Sequence, residues 1–129
     1  MGDIGDLAPM TAWLAGARQH ILQLLPINES APGQSSPYSA ISAMAIDPLY
    51  IRVPDVPEFA ALGGEPSLTT ADRELLDTVR RASRIDYAAV RRLKRASLRA
   101  AFERFSHDEW CHDTGRAREL KEFISEQAW

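Results

Sequence analysis

The residues best suited to chemistry fall between positions 26 and 48. Asn28, Glu29, Ser30, Gln34, Ser35, Ser36, Tyr38 and Ser39 place amides, hydroxyls, a carboxylate and a phenol in one Pro- and Gly-containing stretch. That set suits a polyhydroxylated ligand, with polar groups bonding its hydroxyls and the tyrosine ring covering its apolar side. Asp47 closes the stretch, just before Pro48. Glu29 and Asp47 invite reading as an acid/base pair, since two carboxyls about 5 Å apart are the apparatus that breaks a glycosidic bond with retention. The rival reading is structural. Asp47 before a proline starts a turn, and Asn28 and Glu29 bind the loop's own backbone amides.

Two other clusters carry chemical types. His107, Cys111 and His112, with Asp108 and Asp113, form HDEWCHD, where a histidine and a cysteine at i, i+4 share one helix face. A structural zinc wants four ligands, and the His and Cys supply here is three. Positions 80–99 hold Arg80, Arg81, Arg84, Arg91, Arg92, Lys94, Arg95 and Arg99 against one acid, Asp86. A basic helix can hold phosphate backbones. It can equally be a solvated face whose arginine stems cover apolar neighbours, and no groove-reading motif accompanies it.

These groups need elements to hold them. Ile21, Leu22, Leu24 and Leu25, stopped by Pro26, predict a short buried strand of the parallel, helix-covered kind. The polar loop then leaves its C-terminal end, where α/β barrels collect binding groups. Positions 7–16 predict a helix with Asp6 as cap, Pro9 in the first turn and Leu7, Met10, Trp13, Leu14 and Ala17 on one face. Positions 48–57 look extended, but three prolines exclude a central strand. Positions 59–66, with Gly63 and Gly64, predict a loop. Three helices follow. Thr69 or Thr70 caps one ending near Ala82. Asp86 caps a longer one, to about Phe105, with Tyr87, Val90, Leu93 or Lys94, Leu98, Ala101, Phe102 and Phe105 as its stripe. A last one spans about 116–127, with Leu120, Phe123 and Ile124 inward.

The chain's 129 residues suffice for one modest domain. Apolar content of 45% and charged content of 26% are ordinary for a globular protein. A net charge of −3 makes no whole-chain case for nucleic acid. The single cysteine, Cys111, excludes an internal disulfide. No apolar run approaches the roughly 18 residues of a membrane span. The first ten residues lack the basic and apolar regions of a secretory signal, so the expected location is the cytoplasm, with no membrane partner.

Three motifs together carry a family resemblance. Leu25-Pro26-Ile27-Asn28-Glu29, Ser36-Pro37-Tyr38-Ser39-Ala40 and Ser42-Ala43-Met44-Ala45-Ile46-Asp47-Pro48 resemble the signature of the 4-alpha-glucanotransferases, or amylomaltases. Ile4-Gly5-Asp6-Leu7 with Trp13-Leu14-Ala15 resembles that family's opening motif. Ile85-Asp86-Tyr87-Ala88-Ala89-Val90 with Lys94, Leu98, Ala101, Phe102 and Phe105 resembles a helix further along. The similarity covers nearly the whole chain.

The resemblance implies an α/β fold: a fragment of a (β/α)8 TIM barrel with about one barrel strand. Residues 1–57 would be an N-terminal barrel segment carrying the 26–48 loop, and 58–129 an inserted helical subdomain. It implies transfer of an α-1,4-glucan segment to the 4-hydroxyl of another glucan, with a maltooligosaccharide as partner and no cofactor. Tyr38 matches the family's cleft tyrosine. Ser36, Asn28 and Asp47 are the other substrate-site candidates. The family's three catalytic carboxylates lie downstream of anything in this chain, so no residue here is expected to be catalytic, and the fragment is expected to be inactive alone. Family members often have an aromatic residue five positions before the tyrosine, associated with a second glucan site; here that position is Gly33. The alternative is a small helical binding module, contacting nucleic acid through the Arg80 to Arg99 basic helix.

Overall fold

A computed structural model describes residues 2–31, 33–34 and 36–127; Ser35, one of the loop's hydroxyls, lies outside the described residues. Among the described residues five α-helices organise the fold: α1 Leu7–Gly16, α2 Pro57–Ala61, α3 Thr70–Arg81, α4 Tyr87–Asp108 and α5 Gly115–Glu126.

Helix starts are set by side chains that accept otherwise unbonded amides. Thr69 caps α3 by accepting the Asp72 N–H at 3.1 Å. Asp86 caps α4 through the Ala89 N–H at 2.9 Å. Thr114 caps α5 through Ala117. The cap expected of Asp6 is displaced by one turn. A 3-10 turn, Ile4–Asp6, precedes α1, and Asp3 caps it by accepting from Gly5 at 3.1 Å. Asp6 instead reaches back to accept the Asp3 N–H at 3.0 Å, which completes a capping box.

The core forms where α4 crosses the segment after Asp47. Val53, Phe59 and Ala101 are its centre, with Val56, Leu68 and Leu98 packed around them. The buried positions of α4 are Leu93, Ser97, Ala101 and Phe105, an i, i+4 row. Ser97 fits the apolar row because its hydroxyl donates to the Leu93 carbonyl at 3.0 Å. Tyr87 and Phe102, expected in this stripe, lie off its axis, and Phe102 is 59% exposed. α5 contributes Ala117, fully buried, while Phe123 and Ile124 face outward. Arg116 joins α5 to α2 through Glu58 at 2.5 Å, with its guanidinium over the Phe105 ring.

Two expectations are overturned. Positions 21–25 form no strand; among the described residues there are only two isolated antiparallel bridges, Asn28 to Ile46 and Ser30 to Ala40. Ile21 is 87% exposed and Leu25 61%. A strand needs a neighbour to take its amides and carbonyls, and among the described residues none pairs with this segment. The α/β architecture is therefore not seen in these residues, which fold as helices and loops. The second correction concerns 59–66, expected as loop, whose first residues are helical. Pro57 at the first helical position starts α2, and Phe59 on it is a core residue. The glycines still end it, with Gly63 and Gly64 at φ 102° and 64°.

Positions 48–57 hold two 3-10 turns, Pro48–Tyr50 and Val53–Asp55, with proline first in one and second in the other. They point Leu49 and Val53 into the core.

Candidate functional site

The 26–48 loop leaves and returns as a narrow antiparallel excursion. Glu29 N–H donates to the Ala45 carbonyl and Ile41 N–H to the Glu29 carbonyl, both at 2.8 Å. Asp47 N–H donates to the Ile27 carbonyl at 2.9 Å. Asn28 stitches the same limbs from its side chain, donating Nδ2–H to the Ala43 carbonyl at 2.9 Å. A turn at 36–39 closes the far end, with Ser39 N–H donating to the Ser36 carbonyl at 3.0 Å. The loop's polarity is thus largely spent on its own backbone, as its Ser, Asn and Asp content favours.

Tyr38 sits in that turn, 73% exposed. Its ring is available to a ligand, which is what an aromatic platform requires. Ser36 is exposed beside it, and its hydroxyl accepts the Tyr38 N–H at 3.4 Å. Gly33 has φ 80°, in the left-handed region that a larger residue enters only with strain. An aromatic residue at that position would need a different turn.

Asp47 is the loop's foundation and is 1% exposed. Its carboxylate accepts the Leu49 N–H at 2.9 Å, the Ser30 N–H at 3.3 Å and Arg91 Nη1–H at 2.8 and 2.9 Å. Burial pushes its acidity toward the neutral form. The Leu49 amide, the Arg91 guanidinium and the Ser30 amide outweigh that and hold the carboxyl below its ordinary range. An ionised carboxylate with every bonding direction used has no proton to give and no lone pair free for one.

One turn along α4, Lys94 donates to the Leu49 and Ile51 carbonyls, each at 2.7 Å, and lies 4.0 Å from Asp3. Burial lowers the ammonium's pKa, while Asp3 and Asp6 pull it back upward. Gly5 makes room for the neighbouring arginine: a Cβ there would stand 2.3 Å from Arg52 Cδ.

A cavity of about 590 Å³ opens between the loop's base and α1. Ser30, Gln34, Asp47 and Arg91 supply its polar edge, and Leu7 and Leu24 are among its apolar lining. Asn28, Ser36 and Tyr38 do not line it. The four sequence candidates therefore separate: Asp47 at a buried base, Asn28 between the limbs, Ser36 and Tyr38 at the exposed tip. Arg91 and Lys94 were absent from the candidate site. Their signal was the placement of cations beside the apolar stripe of α4, where Lys94 shares a turn with Leu93 and Leu98.

The remaining clusters resolve locally. Of the basic run, Arg80 pairs with Glu65, Arg81 with Asp77, Arg91 with Asp47, Arg92 with Asp72, Lys94 with Asp3 and Arg99 with Glu103. His107 Nδ1 bonds Asp108, and His112 Nδ1 faces the His107 carbonyl. Among the described residues no three His, Cys, Asp or Glu side chains converge on a possible metal position, and no helix is long and apolar enough to cross a membrane.

Comparison with known proteins finds relatives for much of the chain. A 4-alpha-glucanotransferase of Chlamydia trachomatis is 34% identical over 95 residues, covering 74% of this chain and 17% of its own length. One from Chlamydia caviae is 42% identical over 57 residues, 44% of this chain and 11% of the relative. One from Haemophilus influenzae is 24% identical over 129 residues, 96% of this chain and 18% of the relative. The chain thus spans less than a fifth of the length of these relatives, in their N-terminal portion. No solved structure matches it. The glycoside hydrolase family 77 pattern, described as 4-alpha-glucanotransferase, matches residues 1–129 without remainder, and the chain belongs to the 4-alpha-glucanotransferase family.

Proposed function

We propose that this chain is a glucan-contacting segment of a 4-alpha-glucanotransferase. The parent reaction breaks an α-1,4 bond of a maltodextrin and passes the glycosyl unit to the 4-hydroxyl of another glucan, with retention, in the cytoplasm. The observation that carries the reading is the loop: the family's motif residues build a stitched excursion with Tyr38 exposed at its tip. Tyr38 and Ser36 meet the glucan, the ring against a sugar face and the hydroxyls against sugar hydroxyls. Asn28 and Asp47 serve the site by holding the loop.

The described residues supply no proton donor suited to the cleavage step from Asp47, whose carboxylate is ionised and saturated by Arg91 and two amides. The segment therefore binds rather than transfers. In the complete catalytic domain it belongs to a (β/α)8 barrel, and the exposed apolar residues 21–25 and α1 are surfaces that such a barrel covers. Helices after Pro57 form a subdomain beside the strand that 21–25 supplies there.

Incubating the 129-residue chain with maltotriose should give no longer or shorter glucans, and titration with maltoheptaose should shift the Tyr38 and Ser39 amide resonances. A product ladder would overturn the division of labour, and unmoved loop resonances would overturn glucan contact.

A further inference from the structure

We propose that Arg91 is a positioning residue: from helix α4 it locks the two limbs of the 26–48 loop together through Asp47, and so sets the placement of Tyr38. The part of this that concerns glucan affinity rests on the function proposed above; the locking itself does not.

The juxtaposition is specific. Ser30 lies on the outgoing limb and Asp47 ends the returning limb, 17 positions later. One carboxylate joins them, because the Ser30 N–H donates to Asp47 Oδ2 while Oδ1 takes the Leu49 N–H. Arg91 Nη1 bonds both oxygens from an element 44 positions away. The carboxylate is 2% exposed and the guanidinium 23%, so water competes poorly for either. Lys94, three positions on and therefore on the same face of α4, holds the Leu49 and Ile51 carbonyls just past the loop.

Besides this anchor, the described residues of the loop are joined by a few backbone hydrogen bonds and the Asn28 side chain. Its regular pairing is limited to two isolated bridges. Tyr38, Ile41, Met44 and Ile46 are more than half exposed, so apolar packing does not anchor the tip. Without Arg91, Asp47 keeps a buried charge with only two amide donors, and the limbs are free to part. An ordered loop offers Tyr38 to a ligand at lower entropic cost than one that must be ordered on binding.

The test measures amide hydrogen exchange and maltoheptaose affinity on the 129-residue chain and its R91M, R91K and D47N variants. The amides of Glu29, Ile41 and Asp47, which donate across the limbs, should exchange at least tenfold faster in R91M and D47N. The amides of α4 near Ala101 should stay as in wild type, and maltoheptaose should bind at least tenfold more weakly. R91K, which keeps the charge and loses the guanidinium's reach, should fall between, and it carries the test if R91M does not fold. Unchanged loop exchange would overturn the proposal. So would equal acceleration of the loop and α4 amides, which would make Arg91 a general stabiliser. If wild type itself binds no maltoheptaose, the glucan reading fails, and the exchange pattern alone decides the positioning role.

Discussion

The two ends of this chain use their residues in opposite ways. Before Asp47, no described residue is buried; from Asp47 onward lie Leu49, Val53, Phe59, Leu93, Ser97, Ala101, Phe105 and Ala117, all buried. Yet the motifs that mark the family lie mostly before Asp47, in the opening turn and the 26–48 loop. The part that carries the motif is held by backbone hydrogen bonds and one buried ion pair. The part that carries the stability is a helical core, to which the α4 motif lends Leu98, Ala101 and Phe105. Asp47 belongs to both, and Arg91 and Lys94 of α4 reach across to it and to the Leu49 carbonyl.

That contrast breaks most readily at Phe59. Phe59→Ala should lower the urea unfolding free energy by about 3–5 kcal/mol, since a buried ring leaves a cavity that the surroundings fill only in part. Asp47→Ala should cost about 3 kcal/mol, the low end for breaking a buried pair, because the abandoned Arg91 keeps some access to water. Equal losses from a core residue and a loop residue would show that the junction stabilises as much as the core does.

Acid sharpens the same point. Asp47 has its folded pKa below the unfolded value of 3.8. Its contribution is therefore fully present above that value and is lost as pH falls through the lower, folded one. Wild type should lose stability in that window more steeply than Asp47→Asn, as followed by far-UV circular dichroism during acid titration. Parallel curves would remove Asp47 from the account.

Thr69→Ala should cost about 1 kcal/mol, measured as a shift in urea midpoint, because α3 then loses the acceptor for the Asp72 amide. Trp13→Ala and Ile21→Ser should change stability by no more than about 0.5 kcal/mol, since both side chains are largely exposed. A loss from Trp13→Ala close to that of Phe59→Ala would erase the difference between the two regions.

The helices were legible where a cap and a period agreed. Thr69 and Asp86 mark the starts of α3 and α4 in the sequence, and each takes the amide three residues on. The strand expected at 21–25 is not formed among the described residues, because its signal is apolarity alone. Four aliphatic residues and a proline say that a segment wants burial, but a strand exists only with a neighbour. α2 was missed for the converse reason: Gly63 and Gly64 read as loop, while Pro57 begins a helix and Phe59 finds the core. In the loop, Tyr38 stands out by its motif and is exposed, and its contact with a glucan is the proposal that the maltoheptaose titration tests. Asp47 was legible as a turn starter, and it does accept the Leu49 amide. Its partnership with Arg91 was not, because 44 positions separate them.

By itself the sequence determined the family, the caps of α3 and α4, and the loop's habit of bonding to its own backbone. These follow from residues close along the chain, where side chain and amide meet whatever the rest of the molecule does. Only the tertiary structure decided that Asp47 is a saturated, ionised anchor rather than an acid, and that α4 is the element holding the loop. Both depend on which distant donor reaches a buried carboxylate, and that is set by the crossing of α4 over the segment after Asp47, not by spacing in the sequence.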